Sequence, residues 1–114
     1  PIVLSSITTY GTNMQQPIIE LCNFIYERTG KDLSLKLDIC NKGYASPDRL
    51  LITLMKSGTS LATIQDKSIN LPPGGMMRKE ISLPLVLTGE EIRARLIWFK
   101  LTRRWVRDEV LKLG

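Results

Sequence analysis

Between Asp32 and Ile39, apolar and polar residues alternate without a slip. Leu33, Leu35, Leu37 and Ile39 are separated by Ser34, Lys36 and Asp38. A period of two puts the four apolar side chains on one face of an extended strand and the polar ones on the other. A helix cannot use this pattern, because its faces repeat every ~3.6 residues. The run stops at Asn41-Lys42-Gly43, and its apolar face must be covered by something else in the chain.

The same kind of signal recurs on both sides of it. Ile18 to Tyr26 is dense in Ile, Phe and Tyr and predicts a strand, followed by an Arg28-Thr29-Gly30-Lys31 turn. After Ser46-Pro47-Asp48, Leu50 to Met55 predicts another strand. Ser57-Gly58-Thr59 is a short hairpin signal, with Leu61 to Gln65 as the return strand. Leu71-Pro72-Pro73-Gly74-Gly75 cannot lie inside a sheet, because the prolines lack donors and the glycines have no side chain to pack. Met77 to Leu85 alternates through Ile81 and Leu83, Thr88 to Glu91 reads as a turn, and Ile92, Ala94, Leu96 and Trp98 alternate with Arg93 and Arg95. Short strands about ten residues apart, bounded by Gly, Pro and Asn, predict an all-β fold, an antiparallel β-sandwich of about seven to eight strands.

Residues 18–114 are expected to form this single domain, with residues 1–17 as an N-terminal arm or edge strand. Leu101 to Leu113 fits a last strand holding Trp105 and Val110. It also fits an amphipathic helix with Leu101, Trp105 and Val106 opposite Arg103, Arg104 and Arg107. The need of a sandwich for a closing strand favours the first.

The chain has 114 residues, 43% of them apolar, which suffices for one core. No run approaches the ~20 apolar residues of a membrane helix. Pro1 in place of Met leads to the expectation that an initiator Met, a signal or a membrane anchor stood upstream. The two cysteines, Cys22 and Cys40, are expected to be free thiols. Cys40 is out of phase with the buried leucines, and direct register about Gly30 places Cys22 nearer Asp38 than Cys40.

In order, these signals resemble immunoglobulin-like domains of the cell-adhesion-related type found in bacterial and archaeal surface proteins. The features that carry the likeness are the Asn41-Lys42-Gly43 turn, the strand pair around Gly58, the Leu71–Gly74 loop and the Ile92–Leu96 strand. The order is also similar to the soluble domains of archaeal surface-appendage accessory proteins, archaellum proteins F and G. There a membrane helix precedes the domain, which would place one ahead of Pro1. The resemblance implies a role in binding or assembly at a cell surface or outside the cell, with a protein partner such as a surface-layer or appendage component. The chain departs from that pattern in lacking an Asn-X-Ser/Thr sequon and in its Arg-rich C-terminal end.

Chemistry narrows the function by exclusion. There is no histidine, so imidazole proton transfer, a Ser-His-Asp triad and imidazole metal ligands are excluded. Two cysteines do not make a structural zinc site, and neither a G-x-x-x-x-G-K-[ST] nor a G-x-G-x-x-G phosphate loop occurs. Glu90-Glu91 and Asp108-Glu109 read as solvated or salt-bridged rather than as a facing catalytic pair. The expectation is therefore no catalytic residue, no metal and no cofactor. The sharpest binding candidates are Trp98, Lys100, Arg103, Arg104, Trp105 and Arg107, with Phe99 among them. Arg and aromatic residues can grip single-stranded nucleic acid or form protein–protein hot spots. Alternatively, the tryptophans belong to the core and the arginines line a sheet edge. The leading expectation is a non-enzymatic interaction module, including homodimerisation through a sheet face. A small basic nucleic-acid-binding or virus-encoded structural protein is the alternative.

Overall fold

The computed structural model describes residues 16–114. Seven strands follow one another: β1 (Ile19–Thr29), β2 (Asp32–Asn41), β3 (Arg49–Lys56), β4 (Thr59–Asp66), β5 (Met76–Pro84), β6 (Glu91–Lys100) and β7 (Arg103–Lys112). One helical turn, α1 (Leu85–Thr88), intervenes before β6. They form two antiparallel sheets, one ordered β1-β2-β5 and the other β4-β3-β6-β7. The chain is an immunoglobulin-like β-sandwich, its fourth strand paired with the third on the four-stranded sheet.

The alternating residues of the sequence form the core. Leu33, Leu35, Leu37 and Ile39 of β2 face Leu50, Ile52 and Leu54 of β3 and Ile92, Ala94, Leu96 and Trp98 of β6, all essentially solvent-free. The C-terminal segment is the closing strand, antiparallel to β6, with Leu111 and Leu113 buried. Turn chemistry is local. Ser57 and Gly58, both with positive φ (52° and 81°), supply the turn between β3 and β4. β5 ends at Pro84, one residue earlier than the alternation predicts, because Leu85 enters α1 and donates its N–H to the Lys31 carbonyl (2.8 Å).

The Asn41-Lys42-Gly43 segment is a junction rather than a simple turn. Lys42 and Tyr44 donate their N–H groups to the carbonyls of Ile18 and Gln16, extending the β1–β2 ladder. A Cβ on Gly43 would run into the backbone of Gln16 and Ile18, so only glycine fits there. Asn41 is buried with every polar side-chain atom in use. Its Nδ2 donates to Ala45 O (2.8 Å) and Leu71 O (2.9 Å), and its Oδ1 accepts from Gly43 N (2.9 Å) and Ile18 N (3.3 Å). This one side chain ties three connections to the open end of the core. Of the expected N-terminal arm, residues 1–15 lie outside the described residues. Pro17 is buried and its carbonyl accepts the Trp98 indole N–H at 2.9 Å.

The cysteines correct the sequence reading: Cys22 and Cys40 form a disulfide, with Cα atoms 5.9 Å apart. Two features of the β1–β2 hairpin escaped the direct-register argument. Thr29 pairs with Asp32, so the hairpin axis lies between Gly30 and Lys31 instead of on Gly30. A bulge between Leu21 and Asn23 then leaves Cys22 out of the ladder, on the outer face beside Cys40.

Candidate interaction surface

The Arg/Trp segment does not form one patch, because β6 and β7 pair in a register that sends neighbouring residues to opposite sides. Trp98 faces Trp105 on the core side, and Lys100 faces Arg103 there. Phe99 and Arg104 are opposite each other on the outer side. Trp98 is 4% exposed and belongs to the core, stacked on half-buried Trp105 with ring centroids 6.3 Å apart and an interplanar angle of 14°. The Arg103 guanidinium lies 4.7 Å from the Trp105 ring centroid. Arg107 reaches Glu109 at 2.6 Å and Glu20 of β1 at 3.8 Å. The hydrogen bond to Glu109 holds the Arg107 guanidinium above its usual pKa. Lys100 lies 3.6 Å from Asp48, whose other carboxylate oxygen accepts the Leu101 N–H at 2.7 Å. Leu101 forms the exposed tip of the β6–β7 hairpin in a left-handed conformation (φ 56°) that costs a side-chain-bearing residue about 1–2 kcal/mol.

On the outer side of the four-stranded sheet lies a surface that sequence reasoning did not assemble. Leu51, Ile97 and Val106 stand in register across β3, β6 and β7 and form an apolar row, with Val106 47% exposed. Phe99 flanks it at one end, capped by the Arg49 guanidinium 4.2 Å from its ring centroid. At the other end Met55, Arg93 and Val110 line a cleft of about 480 Å³. Arg95 makes a two-pronged contact with Asp108 (2.8 and 3.0 Å) between row and cleft. The Arg95 hydrogen bond holds the Asp108 carboxyl below the usual carboxylate range. The signal was present, since Val106 and Val110 alternate with Arg107 and Glu109. It becomes legible only once β7 is known to be an edge strand with its outer side uncovered.

The sheet edges are less inviting. β1 carries a bulge and Glu20, Glu27 and Arg28. β7 carries Arg103, Arg104, Arg107 and Lys112, and β5 ends in Pro84. A bulge also interrupts the β3–β4 pairing. These are the devices that blunt edges against strand addition. Among the described residues, no group of three or more His, Cys, Asp or Glu side chains is placed to hold a metal ion.

No family model matches this sequence. No curated protein matches it either. Among solved structures, it is similar to beta-glucosidase 3B from Thermotoga neapolitana, seen in complex with alpha-D-glucose and with glucose. In each case the identity is 15% and the TM-score 0.48, with 84% of this chain covered. This chain matches 17% of the length of those enzyme chains.

Proposed function

We propose that this domain is a non-enzymatic protein-interaction module that binds its partner through the outer face of the β4-β3-β6-β7 sheet. The observation that carries the reading is the row Leu51–Ile97–Val106, apolar side chains turned away from the core and ringed by Arg49, Arg93 and Arg104. Apolar centres with an arginine-containing rim are how protein interfaces concentrate their binding energy. Work at a cell surface or in another oxidising setting is supported by the Cys22–Cys40 disulfide. The finer expectation of an archaeal surface-appendage component rests on the resemblance in strand order.

The nucleic-acid alternative has less support. Its arginines are divided between two sides of the sheet, Arg107 is engaged by two carboxylates, and the tryptophans stack on each other instead of offering free faces to bases.

A photo-crosslinking residue at Val106 tests the reading, with one at exposed Lys67 as control, in cells or extracts of the source organism. The expected result is a discrete crosslinked protein from Val106 alone, lost when Ile97→Asp is added. Identical patterns from the two positions would overturn it.

A further inference from the structure

The two outer faces of the sandwich carry opposite charge. On the three-stranded sheet, the outward register positions hold five acidic residues (Glu20, Glu27, Asp32, Asp38, Glu80) and two basic ones (Lys36, Arg78). On the four-stranded sheet, they hold five basic residues (Arg49, Arg93, Arg95, Arg104, Lys112) and two acidic ones (Glu91, Asp108). The faces therefore carry formal charges of −3 and +3. Pairs within each face, Arg78–Asp38 at 2.7 Å and Arg95–Asp108 at 2.8 Å, remove equal charge of both signs, while Glu20 is met from the other sheet by Arg107 at 3.8 Å, which leaves the acidic face an unpaired excess of two negative charges. Residues 1–15 contain no charged side chain. Both faces also expose apolar side chains, Ile25 (48%) and Met76 on the acidic one, Val106 and Val110 on the basic one.

We infer that the partner of the basic, four-stranded face is the acidic, three-stranded face of a second copy of this chain. This rests on the reading of the four-stranded face as the binding surface and names its occupant. The two faces lie on opposite sides of one sandwich, so the contact is head-to-tail. It does not close on itself as a two-fold dimer, and it propagates into stacks. Three strands about 4.8 Å apart and about ten residues long give the smaller face roughly 14 by 33 Å, short of the ~800 Å² per partner of a stable complex. A single contact is accordingly weak and salt-sensitive, and it gains strength when copies are held together.

Sedimentation velocity on the purified, oxidised chain tests this. At low salt, the average mass should grow beyond that of a dimer between about 10 µM and about 1 mM protein, and 0.5 M NaCl should reverse the growth. Two double variants on exposed positions separate the faces: Arg93→Glu with Arg104→Glu, and Glu27→Lys with Asp32→Lys. Circular dichroism and the urea midpoint confirm that each is folded. Each alone should stay monomeric, and an equimolar mixture should associate again, because each supplies the complement the other lacks.

A wild-type chain that stays monomeric throughout overturns the inference, as does a mixture that fails to associate. Association abolished only by the basic-face variant would also overturn it, and would indicate a contact between like faces. If the chain is monomeric while Val106 crosslinks to a different protein, the inference fails and the reading of the face as an interaction surface stands.

Discussion

Trp98 and Trp105 lie opposite each other on β6 and β7 and stack in parallel on the core side of the sheet, under the Arg103 guanidinium. The pair joins the closing strand to the core and anchors the chain entry, since the Trp98 indole N–H is held by the Pro17 carbonyl. Trp98→Ala should destabilise the domain by about 3–5 kcal/mol. Half-buried Trp105→Ala should cost about half as much. A double-mutant cycle by urea unfolding should give a coupling of about 0.5–1.5 kcal/mol. Additive effects would mean that the rings pack independently.

The Cys22–Cys40 bond joins residues 18 apart in sequence across the β1–β2 hairpin. On chain entropy, opening it should lower stability by about 3 kcal/mol. Urea midpoints of the oxidised chain and of Cys22→Ser/Cys40→Ser check this. Alkylation under non-reducing conditions should leave both cysteines unmodified, and modification of either would contradict the pairing.

Much of this architecture is legible in the residue pattern, and the exceptions share a cause. Strand β2 follows from Leu33 to Ile39 because a buried face demands period two, and the Pro72–Gly75 break follows from missing donors and side chains. The disulfide was missed because a single extra residue at Cys22 shifts the register, and bulges leave no reliable mark on sequence. The Arg/Trp segment reads as one cluster because its members are neighbours in sequence. In a strand, neighbours point apart, so Arg104 and Trp105 serve different surfaces. The opposite charges of the two faces emerge only from the full register, which pairs β3 with β6 although they are separated in sequence by β4 and β5, and neither strand's own pattern marks its partner.

Asn41 is the least replaceable polar residue of the scaffold. Asn41→Ala would leave two carbonyls and two N–H groups near the buried end without partners. It should cost about 3 kcal/mol or more in urea unfolding. A loss under about 1 kcal/mol would show that water replaces the side chain there.

Acid should weaken the fold in a defined range. Hydrogen bonds from Arg78 and Arg95 lower the pKa values of Asp38 and Asp108 in the folded chain. The folded state therefore binds fewer protons than the unfolded one in acid, so stability rises with pH there. The contribution is complete above the unfolded carboxyl value of about 3.9 and is lost as pH falls through the lower folded values. With no histidine in the chain, thermal midpoints should be nearly flat between about pH 6 and pH 8. Asp38→Asn and Asp108→Asn should each reduce the acid-side slope.

A contact between the opposite outer faces of two copies can be observed directly. An ¹H–¹⁵N chemical-shift series from dilute to concentrated protein at low salt reads this residue by residue. Concentration-dependent shifts are expected at Leu51, Ile97 and Val106 on one face and around Ile25 and Lys36 on the other, reversed by salt. Unchanged spectra, or shifts confined to the edge strands β1 and β4 with Leu51, Ile97, Val106 and Lys36 silent, would contradict it.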